Sequence, residues 1–417
     1  MDCAPVSVIV VSQARPQALA RCLNGLSQLD YPTFEVILVA CAEGLAVARA
    51  RPEAAQMKLI PFDEANISAA RNAGIGVAAG EIIAFIDDDA VPEPLWLQHL
   101  AAPFTASEVA AATGYVIGRN GISFQWRARC VDRFGQTEDL ALEGTEPVVL
   151  PPQKGRAIKT EGTNMAVRRD TLAKMGGFDP GFRFYLDETD LNIRLAQEGL
   201  GTAVVPLAQV HHGFAASARR GADRTPRDLT QIGASQMLYL RKHAPETERK
   251  KAWKAFRREQ RLRLIRLMQR GPLGSDDVWR LMRSLDRGAR EGAARNFAPL
   301  VPLPPSSEKF RPFPGRPGAP RKFLSGRFWQ ASALRRAAAK AVENGEIVSL
   351  FLLSPTARYH RVRFTENGVW EQTGGRFGRS LRNAPILRYR RFSTRIRSEI
   401  TRIEPVRGGF DDNNAKK

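Results

Sequence analysis

The first ninety residues impose the strongest constraint on this chain. Short apolar, β-branched runs alternate with helical patterns, and the last run ends in three consecutive aspartates. Residues 6–11 read as a buried strand. Leu19, Cys22, Leu23, Leu26 and Leu29 then recur at spacings of three and four, which predicts a helix ended by Tyr31 and Pro32. Residues 35–39 and 57–61 read as a second and a third strand. Asn66 suits the N-cap of an Ala- and Gly-rich helix reaching Gly80, and residues 81–86 form a fourth strand running into Asp87, Asp88 and Asp89. This alternation predicts an α/β fold around a doubly wound, mostly parallel sheet. Ligands of such sheets sit outside the carboxyl ends of the strands, where the aspartates stand.

Three adjacent carboxylates repel one another. A divalent cation together with a diphosphate offsets that repulsion, because hard oxygen ligands suit Mg²⁺ or Mn²⁺; a solvated acidic turn is the alternative. A second acidic segment, Asp187-Glu188-Thr189-Asp190-Leu191, opens a predicted helix. Its carboxylates can satisfy N-terminal amides, or one of them can take a proton from a hydroxyl nucleophile. His211-His212-Gly213 lies about 24 residues beyond Glu188 and follows a strand-like run at 202–206. Neutral imidazole is an acceptable Mn²⁺ ligand. A buried structural histidine is the competing role, and we give it to His211.

Together these segments resemble the family 2 glycosyltransferases of the GT-A fold. The resemblance rests on Val6-Ser-Val-Ile-Val-Val-Ser, Asn66-Ile-Ser-Ala-Ala-Arg-Asn-Ala-Gly, Phe85-Ile-Asp-Asp-Asp, Gly162-Thr-Asn-Met-Ala, Gly176-Gly-Phe-Asp, Leu186-Asp-Glu-Thr-Asp-Leu and His211-His-Gly, in that order over about residues 5–215. It implies a nucleoside-diphosphate sugar bound at the first strand ends, with Ser12, Arg15, Arg71, Asp87 and Asp88 on the nucleotide side. It also implies Mn²⁺ or Mg²⁺ held by Asp89, Asp87 and His212. Glu188 occupies the position of the family's base, with Asp187 and Asp190 as the neighbouring candidates. The loop at Gly162, Thr163 and Asn164 is expected on the acceptor side, and Phe178-Asp179 is expected to fix a turn. Inversion at the sugar is a further implication. Two positions depart from the family: Ala40-Cys41 stands where an aspartate usually follows the second strand, and Gln13-Ala14 replaces the usual Tyr-Asn. Both put a uracil-specific pocket in doubt.

The remaining sequence differs in charge. Residues 1–215 carry 18 Lys+Arg against 25 Asp+Glu, whereas residues 216–417 carry 45 against 18. We expect a catalytic domain over 1–215, a basic helical extension over 216–297, a Pro-rich linker over 298–320 and a small basic α+β unit over 321–417. Residues 246–270 read as a basic amphipathic helix with Trp253, Phe256, Leu264, Leu267 and Met268 on one side, which suits an anionic membrane surface. No recognised nucleic-acid motif accompanies the charge, so nucleic acid is not an expected partner. The expected acceptor is a hydroxyl-bearing glycan or a lipid-linked one, as in surface polysaccharide synthesis. Four widely spaced cysteines, no charged-then-apolar leader and no apolar run of about twenty residues give the expectation of a cytoplasmic protein, peripheral at the inner face of the membrane. The competing reading is a non-catalytic scaffold on a decayed transferase domain, holding an anionic surface or polymer with its basic half.

Overall fold

Buried on both faces, the first strands read as unbroken Val/Ile runs rather than alternating ones. Strands β1 (Val6–Ser12), β2 (Phe34–Ala40), β3 (Met57–Pro61) and β4 (Ile82–Asp87) pair in parallel in the order β3-β2-β1-β4. Helices α1 (Pro16–Leu26), α2 (Ala42–Arg49) and α3 (Ile67–Val77) make the crossovers. The leucines of α1 pack on one face of the sheet, and Ala70 and Ile75 of α3 on the other. Asn66 caps α3, its Oδ1 accepting from the Ala69 amide at 3.1 Å. The computed structural model describes residues 3–153, 155–213, 219–221, 223–297 and 299–410, so the expected boundary at 215/216 and the expected linker's first residue lie outside the described residues.

Beyond β4 the chain continues through β5 (Ala90–Pro92), α4 (Trp96–Ala101), β6 (Val109–Ile117), β7 (Phe124–Trp126), β8 (Arg129–Asp132), β9 (Thr137–Asp139), β10 (Val148–Leu150), β11 (Arg156–Ile158) and β12 (Met165–Arg168). Then follow α5 (Arg169–Lys174), α6 (Asp187–Gln197) and β13 (Gly201–His212). Here the sheet is mixed rather than mostly parallel. β12 lies antiparallel between β4 and β6, β13 is parallel to β6, and β10 closes the edge. No helix separates β6 from β12, and a parallel return needs such a crossover. The short strands β11, β8 and β9 form a second sheet.

The basic extension is a helical layer of α7 (Thr230–His243), α8 (Glu246–Gln269) and α9 (Ser275–Ala294). Glycines bring α7 and α9 together: a Cβ on Gly288 would sit 1.8 Å from the Thr230 carbonyl oxygen, and one on Gly292 2.2 Å from that of Ala234. The apolar stripe of α8 corrects the interfacial-helix expectation. Phe256 and Leu264 are buried, and Trp253, Leu267 and Met268 pack with them against Leu281, Met282 and Leu285 of α9. That stripe is covered within the protein and cannot enter a bilayer, while Lys250, Lys251 and Lys254 remain exposed.

The Pro-rich segment is extended, but it is a strap and not a free spacer. Leu303 donates to the Ala173 carbonyl at 2.9 Å and Phe313 to that of Phe34 at 2.8 Å, and the Phe313 ring lies 5.6 Å from that of Phe34. It leads into β14 (Arg321–Arg327), α10 (Ala331–Glu343), β15 (Ile347–Ser354), β16 (Arg361–Phe364), β17 (Trp370–Gly375) and α11 (Phe392–Arg407), with strand order β14-β15-β17-β16. The β16–β17 hairpin turns at Gly368, whose φ is +74°. β14 and α10 carry no signal that we read in the sequence.

This unit docks on the first half through a buried ion pair. Arg407 donates to both carboxylate oxygens of Glu93, at 2.7 and 2.9 Å, and lies 4.3 Å over the Trp370 ring. His211 approaches the same carboxylate at 2.7 Å, the structural role expected for it. Burial disfavours the Glu93 charge, but Arg407 and His211 outweigh it and hold the carboxyl at about 2. Arg407→Leu is expected to destabilise the protein by about 3–5 kcal/mol, because it strands a buried carboxylate; urea unfolding checks this. The pair's contribution is complete above the ordinary value of 4.5 and is lost as pH falls toward 2.

Candidate active site

The crossovers on either side of β1 leave in opposite directions, so the crevice between the carboxyl ends of β1 and β4 is the switch point of the sheet. Register places Val11 beside Asp87, so Ser12 follows next to Asp88. Ser12 Oγ donates to Asp88 Oδ2 at 2.7 Å. Asp88 is fully buried, and burial pushes its carboxyl up to about 7 although Arg15 and Ser12 oppose this. Asp87 and Asp89 face the crevice.

His212 reaches this point through strand pairing. β5 begins at Ala90, directly after the aspartates, and pairs antiparallel with the end of β13, His212 opposite Ala90 and His211 opposite Val91. Successive residues of a strand face opposite ways. His211 therefore turns to Glu93, and His212 turns to the crevice, its Nε2 3.2 Å from Asp89 Oδ1. His212 Nδ1 meets Gln125 Oε1 at 3.1 Å, which orients the ring. One ligand atom from each of Asp87, Asp89 and His212 lies within 4.8 Å of the others. Two carboxylates and an imidazole fit Mn²⁺ or Mg²⁺ in donor type and spacing.

Cations surround this group. Arg15 forms ion pairs with Asp88 at 2.8 Å and Asp89 at 3.2 Å, and Arg220 lies 3.8 Å from Asp89. A cleft of about 240 Å³ opens here, with Ser12, Gln13, Val39 and Phe62 toward the first strands and Trp126, Arg219 and Arg220 opposite. Such a cleft can take an anionic ligand with a flat apolar portion. Ala14 adopts φ +52°, and its amide donates to Cys41 Sγ at 3.4 Å, so the two departures from the family pattern touch each other.

The second acidic segment enters through a strained turn. Tyr185 and Leu186, both non-glycine, have φ of +72° and +66° immediately before α6. Such residues cost on the order of 1–3 kcal/mol each and persist where the surroundings enforce them. Asp187 is buried against the Arg71 guanidinium. Arg71 also lies 3.7 Å from Asp87 and donates to the Gly162 carbonyl at 3.3 Å, joining the two acidic segments. Glu188 accepts from Lys159 Nζ at 2.9 Å. Burial disfavours its charge, but Lys159 overrides this and holds the carboxyl low. Asp190 is fully enclosed by Arg194, Lys242 and His243, each at 2.8 Å.

The profile described as "Glycosyltransferase like family 2" matches residues 4–232. The chain belongs to this family. The O-antigen biosynthesis protein RfbC of Myxococcus xanthus is 29% identical to this glycosyltransferase over 250 residues, which is 53% of this chain and 18% of that protein. The glucosyl-dolichyl phosphate glucuronosyltransferase of Haloferax volcanii is 24% identical over 180 residues, 42% of this chain and 56% of that one. The match thus spans little more than half the length of these relatives at most. The mannosyltransferase PcManGT of Pyrobaculum calidifontis, solved with GDP-Man and Mn²⁺, overlaps at a TM-score of 0.41 with 14% identity, covering 70% of this chain and 88% of that one.

Within the glycosyltransferase, the structure brings Ser12, Arg15, Asp87, Asp89 and His212 into one crevice, with Asp187 joined to it through Arg71 and Glu188, the next residue of α6, held by Lys159. Three expectations need correction. Asp88 does not face the crevice; it holds Ser12 and Arg15. Arg71, in the second turn of α3, is buried between the acidic segments and the rings of Phe85 and Phe178, so it ties those segments together and does not line the crevice. Asp190 is unsuited to accept a proton from an acceptor, because it is fully buried and Arg194, Lys242 and His243 occupy its carboxylate. In the loop at residues 162–164, Asn164 is fully committed to Trp96, Tyr115 and Ala208. Asp179 caps a turn at Gly181, as expected, and also meets Lys242. The sequence reading missed Arg219, Arg220, Lys159 and Gln125. Only the Arg pair had a signal, two adjacent cations seven and eight residues past His212.

Proposed function

We propose that this chain transfers a glycosyl group from a nucleoside-diphosphate sugar to a hydroxyl acceptor, with inversion. The convergence of Asp87, Asp89 and His212 at the switch point, flanked by Arg15 and Arg220, carries the reading. A divalent cation held there would neutralise the diphosphate as it leaves. Arg15 and Arg220 lie where they would bind diphosphate oxygens. The β1–β2 side, with Val39 and Phe62, would hold the base, and without a carboxylate at Ala40 it does not select uracil in the usual way. Glu188, ionised beside Lys159, would take the acceptor proton. The names of the relatives support a glycan or lipid-linked acceptor in surface polysaccharide synthesis. A cytoplasmic, peripheral location belongs to the same proposal; among the described residues no helix is long and apolar enough to cross a membrane.

A thermal-shift screen of nucleotide sugars with and without Mn²⁺ tests this. A Mn²⁺-dependent rise in melting temperature for one donor, with slow release of its nucleoside diphosphate, is expected. A ligand at 100 times its Kd stabilises by about 2.7 kcal/mol, a shift of several degrees. No shift and no release with any donor would leave the scaffold reading.

A further inference from the structure

The segment between β17 and α11 is not used by the site described above. Residues 376–391 contain six arginines and no acidic residue. They form a pinned loop: Gly378 and Leu387 are bridged antiparallel, Arg388 donates to the Phe377 carbonyl at 3.0 Å, and Ser380 anchors on the buried Glu399 at 2.8 Å. Its apolar side chains nevertheless point outward. Ile386 is 62% exposed, Leu387 65% and Tyr389 81%. The Tyr389 ring stacks on Phe377 at 5.4 Å, and Arg376 lies over both rings. Other guanidinium contacts go to neutral groups: Arg379 to the Arg382 carbonyl and Arg390 to Ser398. The patch continues at the loop's end, where Arg327 spans Phe392 and the exposed Trp329.

Ordered, exposed Ile, Leu and Tyr side chains interleaved with arginines match the two layers of a lipid interface. Anionic headgroups pair with guanidinium groups, and aromatic and aliphatic tips enter the acyl boundary. The patch is linked through one strand to a cavity beside Asp89 and His212. His360 donates to the Arg379 carbonyl at 3.1 Å, and the strand that begins at Arg361 supplies Val362 and Arg363 to a cavity shared with Asp89 and His212. We infer that the loop at residues 376–391 is the surface by which this protein docks on an anionic lipid bilayer, the cationic face of α8 being secondary. A polyanion such as nucleic acid would satisfy the arginines but give Ile386 and Leu387 no partner.

The test is co-sedimentation of the full chain with vesicles of phosphatidylcholine alone or mixed with phosphatidylglycerol. Binding only to the mixed vesicles, reversed by high salt, is expected. Arg382→Glu/Arg388→Glu/Arg391→Glu should weaken it on the order of 100-fold, from about fivefold for each basic residue at the surface. Ile386→Ser/Leu387→Ser should weaken it at unchanged charge, and Lys250→Glu/Lys251→Glu/Lys254→Glu should have the smaller effect. Melting temperature and nucleotide binding report that each variant is folded, and vesicle binding needs no turnover, so this inference fails or stands apart from the proposed activity. Equal binding to neutral vesicles, an α8 variant that loses binding while the loop variants keep it, or binding to nucleic acid but not to vesicles would each overturn it.

Discussion

Asp89→Asn is expected to abolish metal-dependent donor binding and to lower transfer by on the order of 10³-fold or more. Asp89 meets Arg15 at 3.2 Å, His212 at 3.2 Å and Arg220 at 3.8 Å, so it is the common point of the metal group and the cations around it. An amide keeps the shape but loses the charge that a divalent cation requires. A bound cation contributes several kcal/mol of charge stabilisation, and each 1.36 kcal/mol is tenfold in rate. Titration calorimetry of the best nucleotide, with and without Mn²⁺, checks the binding, and thermal melting checks the fold. The assignment fails if the variant binds nucleotide as tightly as the parent does when Mn²⁺ is present.

Glu188→Gln is expected to leave donor binding within about twofold and to lower transfer by roughly 10²- to 10⁴-fold, the usual worth of a positioned base. Asp190→Asn should behave differently. It leaves Arg194, Lys242 and His243 around a neutral side chain, so its cost of about 3–5 kcal/mol falls on stability. The pH profile separates the base further. With Lys159 holding Glu188 low, the ionised form persists below the usual carboxylate range, so the acid limb of kcat/KM should lie below it too. Lys159→Met should move that limb upward. Full transfer activity in Glu188→Gln, with loss in Asp187→Asn, would move the base to Asp187.

Much of the catalytic half was legible because its signals are local. A buried strand shows as a β-branched run, an N-cap as Asn66 before a small-residue helix, and an active crevice as carboxylates closing an apolar strand. The acidic opening of α6 was equally visible. Illegible was the direction in which each of these polar groups faces. Asp87, Asp88 and Asp89 are alike in sequence, yet one is fully buried under Ser12 and Arg15 and the other two join His212 in a cluster that could hold a metal. The apolar side of α8 read as a membrane face because periodicity reveals that a stripe will be buried, not what will bury it; α9 supplies that partner.

The sequence by itself determined the order of strands in the first ninety residues, the family, and the two acidic segments, since each depends on spacings within a few residues. The tertiary structure alone decided which groups meet. The pairing of β5 with β13 turns His212 to Asp89 and His211 to Glu93, across more than a hundred residues. Arg71 ties Asp87 to Asp187, Lys159 sets the charge on Glu188, and Arg220 closes on Asp89. Strand register and burial fix these contacts, and both arise only when distant segments pack, so the local pattern does not encode them.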